Sequence, residues 1–349
     1  MPFQFFHLAA FLISAVVVLL TTPTVRKIGL KSGRFDPPGG RKVHKHPMVR
    51  LGGISIFMGT LVALLFIWGT GGFGVLPPDK EYEIWGVTLG GLAFFLIGLA
   101  DDLVSLSPQL RLLLQSIVAG FAWQSGVSID FLSLPLQPNP VLLPLWVSFA
   151  VTIIWLVGMA NAINWIDGLD GLAAGVSGIA AVIMLIVCLA MNQPAAGLVV
   201  AALAGGSLGF LRYNFNPAQI FMGDGGAYFM GFTLAGVGVI GLVKSVTTLA
   251  VLLPTLILAV PIFDMSAVIF ERLRRGKSPF TADKSHLHHR LLKAGLSHRL
   301  AVLFIYTLTL WVGSLAVAFS RIPNGIAFAI ATTALLSYTG WHVHRHARP

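Results

Sequence analysis

The chain has 349 residues, of which 56% are hydrophobic and only 10% are charged, with a formal net charge of +10. Soluble domains carry about 25% charged residues, and no aqueous core hides this much apolar surface, so a soluble globular fold is excluded and lipid must solvate most of the chain. The single cysteine, Cys188, excludes an internal disulfide and any cysteine-rich metal site.

A membrane-spanning helix needs about 20 apolar residues. In chain order such runs lie near 3–25, 51–69, 84–100, 111–126, 145–160, 171–190, 195–211, 226–242, 246–270, 301–319 and 323–341. They predict an all-α integral membrane protein of about eleven transmembrane helices, organised as one polytopic domain over 1–349. The first run has no charged leading segment and no clear small-residue cleavage site, so it reads as a retained anchor rather than a signal peptide.

Basic residues orient the chain. Loops 26–50, 101–110, 161–170, 212–225 and 271–300 share one side with the C-terminus, and among all Lys and Arg only Lys80, Lys244 and Arg321 fall on the other. Positive charge collects in cytoplasmic loops, which predicts a periplasmic N-terminus and a cytoplasmic C-terminus. The same bias accounts for the net charge, so nucleic acid is not an expected partner.

Acids on the cytoplasmic side are not mixed among Lys and Arg as on a solvated surface; several sit in short Gly-rich turns at helix ends. Five segments carry the chemistry. First comes the basic loop Arg41-Lys42-Val43-His44-Lys45-His46-Pro47-Met48-Val49-Arg50, whose charge beside a membrane attracts anionic head groups or simply anchors the chain. Arg41, His44 and Arg50, with Arg111 at the start of the fourth run, are candidate substrate contacts. Gly98-Leu99-Ala100-Asp101-Asp102 closes the third run; adjacent carboxylates at a membrane boundary are costly to ionise together without a cation, and Mg²⁺ favours such hard oxygen donors. A solvated helix-end pair is the plain alternative.

Asn161-Ala162-Ile163-Asn164-Trp165-Ile166-Asp167-Gly168-Leu169-Asp170-Gly171-Leu172 places two carboxamides and two carboxylates in one turn. Asp170 alone could be a helix cap, but a cap does not need Asn161, Asn164 and Asp167 as well. Asn214 to Gly226 contains Met222-Gly223-Asp224-Gly225-Gly226 entering the eighth run, where a carboxylate can hold a metal and free backbone N–H groups face an anion. Asp264 lies seven residues before Glu271, roughly 10 Å inside the boundary at 1.5 Å per residue. His286-Leu287-His288-His289-Arg290 follows Asp283 and Lys284. Its histidines suggest zinc, but common zinc partners are absent, and these donors equally suit phosphate oxygens.

In this order and on one face, these segments resemble the polyprenyl-phosphate N-acetylhexosamine-1-phosphate transferase family, with the match strongest over 41–290. The His-Leu-His-His-Arg form is more similar to the branch using UDP-N-acetylglucosamine than to the phospho-N-acetylmuramoyl-pentapeptide branch, which typically carries a run of three histidines. The resemblance implies a multi-pass enzyme of the bacterial inner membrane that moves a HexNAc-1-phosphate from a UDP-sugar to a polyprenyl phosphate, releasing UMP. It implies Mg²⁺ as cofactor, with Mn²⁺ an alternative, and is compatible with a homodimer. Carried over by motif, Asp101, Asp102, Asp167 and Asp170 are expected at the catalytic centre. Asp224 and Asp102 are expected at the metal, and Asn161, Asn164, Asp264, His286, His288, His289 and Arg290 around the donor. The chain departs from the family pattern at Gln219, Gly225, Ala227 and Met48-Val49. A transporter is the reading from another class; it predicts ionisable groups near the membrane midplane, whereas these acids sit at one boundary.

Overall fold

The computed structural model describes residues 4–36, 47–132, 140–243, 251–278, 285–320 and 322–346. The described residues are almost entirely helical, with only two-residue strand pairings at 35–36 with 48–49 and at 131–132 with 141–142. The helices are α1 (Gln4–Lys31), α2 (Gly53–Gly69), α3 (Pro78–Val104), α4 (Pro108–Gln124), α5 (Leu145–Ile166), α6 (Leu172–Ala190), α7 (Pro194–Asn214), α8 (Gly223–Val237), α9 (Leu252–Ile257), α10 (Ala259–Arg274), α11 (Leu287–Lys293), α12 (His298–Phe319) and α13 (Gly325–His346). A wider π-helical stretch, Gly238–Val243, continues α8.

Among the described residues, eight helices are long and apolar enough to cross a membrane: α1, α3, α5, α6, α7, α8 with its continuation, α12 and α13. Of the other expected spans, α2 and α4 are helices of 17 residues. The run expected over 246–270 differs from expectation: its described part is two helices that meet at Leu258. Pro261 is the physical reason, since it has no N–H to donate to the carbonyl of residue 257 and its ring collides with it.

The core is a helix bundle around α8, which is buried along its whole length. α3 and α5 pack directly on it, α7 packs between α1 and α6, and α12 lies between α6 and α13 at the periphery. Without a hydrophobic force between helices in lipid, close approach depends on small residues. α7 supplies them as Ala201, Ala202, Ala204, Gly205, Gly206 and Ser207, and α8 is similarly rich in glycine and alanine.

One end of the bundle is conventional. Trp68 and Trp85 donate their indole N–H to Glu81 Oε1 (3.0 and 3.3 Å), Lys80 pairs with Glu83 (2.9 Å), and Asp130 accepts from Ser128 (2.5 Å) and Ser148 (2.9 Å). Tryptophans at this level are usual for a membrane interface, and these acids have local partners. The acids at the other end are arranged differently.

Candidate active site

At that other end, the C-terminal turn of α3 meets the N-terminus of α8. Asp101 and Asp102 lie within the last turn of α3, rather than in the loop after it, because the helix runs on to Val104 and ends at Ser105 with φ of 55°. Acids at a helix C-terminus face the negative end of its dipole, a penalty of about 0.3–1 kcal/mol each. Neighbouring groups offset it. Asp101 is buried and accepts from the Leu106 N–H (2.7 Å) and from Arg111 Nη1 of α4. Asp102 accepts from the Gly225 N–H (3.1 Å) in the first turn of α8, where the dipole favours an anion.

The helices come this close because residue 98 has no side chain. A Cβ there would stand 2.5 Å from the Asp224 carbonyl group and the Gly225 nitrogen. Gly223 has φ of 77°, a left-handed conformation costly for other residues, and the space of its missing Cβ is taken by the Arg50 carbonyl oxygen. Around this junction the segment 49–53 is laced to 221–222 by backbone bonds, Phe221 N–H to Val49 O (2.8 Å), Gly52 N–H to Phe221 O (2.9 Å) and Gly53 N–H to Met222 O (2.7 Å).

Asp224 is the hub. Its Oδ1 accepts from Asn164 Nδ2 of α5 (2.8 Å), and its Oδ2 lies 3.7 Å from Arg111 Nη1. Arg111 Nη1 also donates to the Tyr228 hydroxyl at 3.3 Å. Asp167, in the turn after α5, faces the same cluster. Its carboxyl is pushed up to about 7, first by burial, then by the charge of Asp224 against the opposing pull of Arg50, with Asp102 and Asp170 adding to the rise. Arg50 also faces Asp102 and Asp224.

The remaining acid of that turn has another task. Asp170 Oδ2 accepts from Asn216 Nδ2 (3.0 Å) and the Ala218 N–H (3.0 Å), so it holds the loop that leads into α8. Its expected alternative role as cap of α6 is not observed: the capping position is Gly171, with no side-chain bond. The Gly171 N–H donates to Asn214 Oδ1 (3.1 Å), and Tyr306 of α12 donates to the Gly171 carbonyl (2.5 Å). Asn161 donates to Gln115 Oε1 (2.7 Å) and to the Val157 carbonyl (2.8 Å), tying α5 to α4.

The histidine segment joins the cluster from α10 and α11. Asp264, buried, accepts from the Leu287 N–H (2.6 Å) at the start of α11 and from His286 Nδ1 (2.8 Å), which leaves His286 Nε2 for other partners. The rings of His286 and His288 are stacked with centroids 5.7 Å apart, and His289 lies 4.3 Å from His288. Arg272 sits 5.0 Å over the Trp165 ring, which meets His286 edge-on. The His288 imidazole fills the space a Cβ on residue 168 would need, which sets it against the Asp167 turn. Arg290 is exposed. Arg41 and His44, and with them Asp283 and Lys284, lie outside the described residues.

His288 is buried, and its Nδ1 has no hydrogen-bond partner among the described residues. Its pKa is lowered to about 4, first by burial and then by His289 and His286, against the pull of Asp264. The unfolded imidazole binds a proton below pH 6.5, whereas the folded one stays neutral until about pH 4. Stability from this group is present above pH 6.5 and is lost as pH falls toward 4, by up to about 1.4 kcal/mol per pH unit. The melting temperature of detergent-solubilised protein is therefore expected to fall between pH 7 and 5, and His288→Gln is expected to flatten that fall. Equal slopes for both proteins would count against a buried neutral His288.

Among the described residues no group of three or more His, Cys, Asp or Glu forms a complete metal-binding set. Structural zinc needs such a set. Mg²⁺ does not, since it is commonly held by one or two carboxylates together with substrate phosphates and water. Asp102 and Asp224, facing each other across the α3–α8 junction with Asp167 crowding them, fit that second pattern.

Tyr228, Gln115, Asn214 and Tyr306 were not expected in these roles. A signal existed for the first two, since Tyr228 follows Asp224 and Gln115 follows Arg111 by four residues, which places each pair on one helix face.

Residues 84–242 match the family model described as glycosyl transferase family 4. The chain is 38% identical, over 95% of its length and 86% of the relative's, to a Bacillus subtilis protein named as a probable undecaprenyl-phosphate N-acetylglucosaminyl 1-phosphate transferase. It is 33% identical to a decaprenyl-phosphate N-acetylglucosaminephosphotransferase of Mycolicibacterium smegmatis, over 87% of this chain and 79% of that one. It is 29% identical to an undecaprenyl-phosphate alpha-N-acetylglucosaminyl 1-phosphate transferase of Yersinia pestis, over 92% and 88%.

Proposed function

The chain belongs to glycosyl transferase family 4, and from that membership we propose that it transfers N-acetylglucosamine 1-phosphate from UDP-N-acetylglucosamine to a polyprenyl phosphate, releasing UMP and starting a cell-envelope glycan. The observation that carries this reading is the junction at Asp224. Residues from α3, α4, α5 and α8, far apart in sequence, converge there on carboxylates flanked by Arg50 and Arg111. The relatives' names favour N-acetylglucosamine over the muramoyl-pentapeptide donor.

In this reaction an oxygen of the lipid phosphate attacks the β-phosphorus of the UDP-sugar, the bond from that phosphorus to the bridging oxygen breaks, and UMP departs with the oxygen. Catalysis of this kind is mainly positioning and charge stabilisation. The attacking phosphate has a second pKa of about 6 and needs no strong base; Asp167, with its pKa near 7, is suited to take a remaining proton. Arg50 and Arg111 offset negative charge, and His286 Nε2, His289 and Arg290 face the donor's diphosphate or sugar. Mg²⁺ is the proposed cofactor, held by Asp102 and Asp224, and when bound it would neutralise charge on the diphosphate. Asn161 and Asp170 act at one remove, by fixing α5 and the 214–219 loop.

The proposal includes eleven crossings of the bacterial plasma membrane, a periplasmic N-terminus, and the site on the cytoplasmic face, where a soluble nucleotide sugar meets a membrane-bound phosphate. The bias of basic residues supports that orientation. Purified full-length protein given polyprenyl phosphate, Mg²⁺ and a panel of UDP-sugars is expected to release UMP fastest with UDP-N-acetylglucosamine. No UMP from any donor, with the protein folded, would sink the proposal.

A further inference from the structure

α12 lies outside the carboxylate cluster, yet two of its side chains reach the loops that build it. Arg299 and Tyr306 are two helical turns apart and share one face of the helix. Tyr306 donates to the Gly171 carbonyl (2.5 Å), at the end of the turn that carries Asp167 and Asp170. Its ring lies in a slot left by two glycines at the start of α6: a Cβ on Gly175 would collide with the ring, and one on Gly171 would stand 3.3 Å from the hydroxyl oxygen. Arg299 donates through Nε (3.2 Å) and Nη2 (3.0 Å) to the Asn216 carbonyl. The side chain of Asn216 in turn donates to Asp170. The contacts therefore close a circuit from Tyr306 through Gly171, Asp170 and Asn216 back to Arg299.

We propose that Tyr306 and Arg299 are positioning residues, which hold the 167–171 turn in register with the 214–219 loop and with the histidine segment. This role rests on the transfer reading above and adds two side chains that touch no reacting atom. The Gly171 peptide is fixed on both sides: its N–H donates to Asn214, and its carbonyl accepts from Tyr306 and from the Gly175 N–H (2.9 Å), which uses both lone pairs. α12 begins just after α11, so the same helix also backs the histidines. His288 fills the space beside Gly168, and a shift of α12 against the turn would be felt between His288 and Asp167. The other polar contacts of α12 point elsewhere. Thr307 meets Thr339 (3.1 Å), Trp311 donates to Thr333 (2.9 Å) and Ser314 meets Thr332 (2.7 Å), all on α13. In lipid, where packing and polar contacts rather than a hydrophobic force seat a helix, one face of α12 thus docks α13 and the other grips the site.

Two measurements test this. Tyr306→Phe keeps the ring and removes only the hydroxyl. It is expected to lower kcat for UMP release by about tenfold, part of the roughly 100-fold cost of a 1 Å misplacement, with KM for polyprenyl phosphate unchanged because Arg50 and Asp102 lie on other elements. Arg299→Met is expected to act alike, and Arg299→Lys, which keeps a donor, to recover most of the rate. Trp311→Phe is the control: it also deletes one hydrogen bond from α12, but on the side of α13, and kcat near wild type is expected. Independently of turnover, amide deuterium exchange of the full-length protein in detergent is expected to quicken within 167–175 and 214–220 in Tyr306→Phe and to stay level within 98–106. Unchanged kcat in both Tyr306→Phe and Arg299→Met would overturn the positioning role, as would unchanged exchange in Tyr306→Phe or an equal loss of rate in Trp311→Phe. A wild-type protein that releases no UMP with any donor, while its Tyr306→Phe variant shows the exchange difference, would overturn the transfer reading and leave the grip of α12 on the two loops standing.

Discussion

Asp224→Asn is expected to lower the rate of UMP release by about 10²–10³-fold, the scale seen when a preorganised electrostatic group is removed from a catalytic centre, and to do so without unfolding the protein. The substitution is nearly isosteric. An amide oxygen can still accept from Asn164, so the α5–α8 link at 2.8 Å need not break. What is lost is the negative charge that faces Arg111 at 3.7 Å and that is proposed to hold Mg²⁺ with Asp102. Removing one of several crowded carboxylates also relieves repulsion on Asp102 and Asp167, so the melting temperature is expected to stay level or rise. Loss of activity at constant or higher stability is the signature of a group retained for function rather than for folding. UMP release measured across a range of Mg²⁺ reads the effect. Full activity of the variant at low Mg²⁺ would exclude Asp224 as a metal ligand.

Gly98→Ala is expected to be nearly as damaging by a purely steric route. The added methyl would meet the backbone of Asp224 and Gly225 at 2.5 Å, and backbone cannot swing aside as a flexible side chain can. α3 and α8 must separate, which breaks the Asp102 bond to the Gly225 N–H and shifts the Asp224 carboxylate relative to Arg111. A misplacement of about 1 Å at a reacting centre costs on the order of 100-fold in rate. Gly158→Ala in α5 is the control, because nothing lies within 4 Å of its added Cβ. Alanine there improves helix propensity, and activity near wild type is expected. Equal activity in both variants would show that the α3–α8 contact is not needed for the chemistry.

These expectations come from contacts that motif reading reached only in part. Asp101, Asp102, Asn164, Asp167 and Asp224 stood out because acids and carboxamides in Gly-rich, charge-poor turns are expensive at a membrane boundary, and the structure brings them into one cluster. Asp170 and Asn161 stood out by the same criterion but are turned to other work, one holding the 214–219 loop and the other fixed to Gln115. Their residue types and spacing are the same as those of their neighbours. Only the direction of each side chain separates the groups, and that direction is set by helix packing.

The apolar fraction and the one-sided distribution of Lys and Arg are written in the sequence, because burial in lipid and retention of positive charge in cytoplasmic loops act on residue types wherever the helices finally pack. The helical character of nearly every run and the order of the motifs follow likewise. The tertiary structure alone decided the rest. It placed the last turn of α3 against the first turn of α8. It brought Tyr228 and Arg111 together across two helices. These features arise from contacts between residues many turns apart. The physical reason is that packing of small residues sets how closely helices approach, and that approach distance, not the local pattern of any one helix, determines which carboxylates face each other.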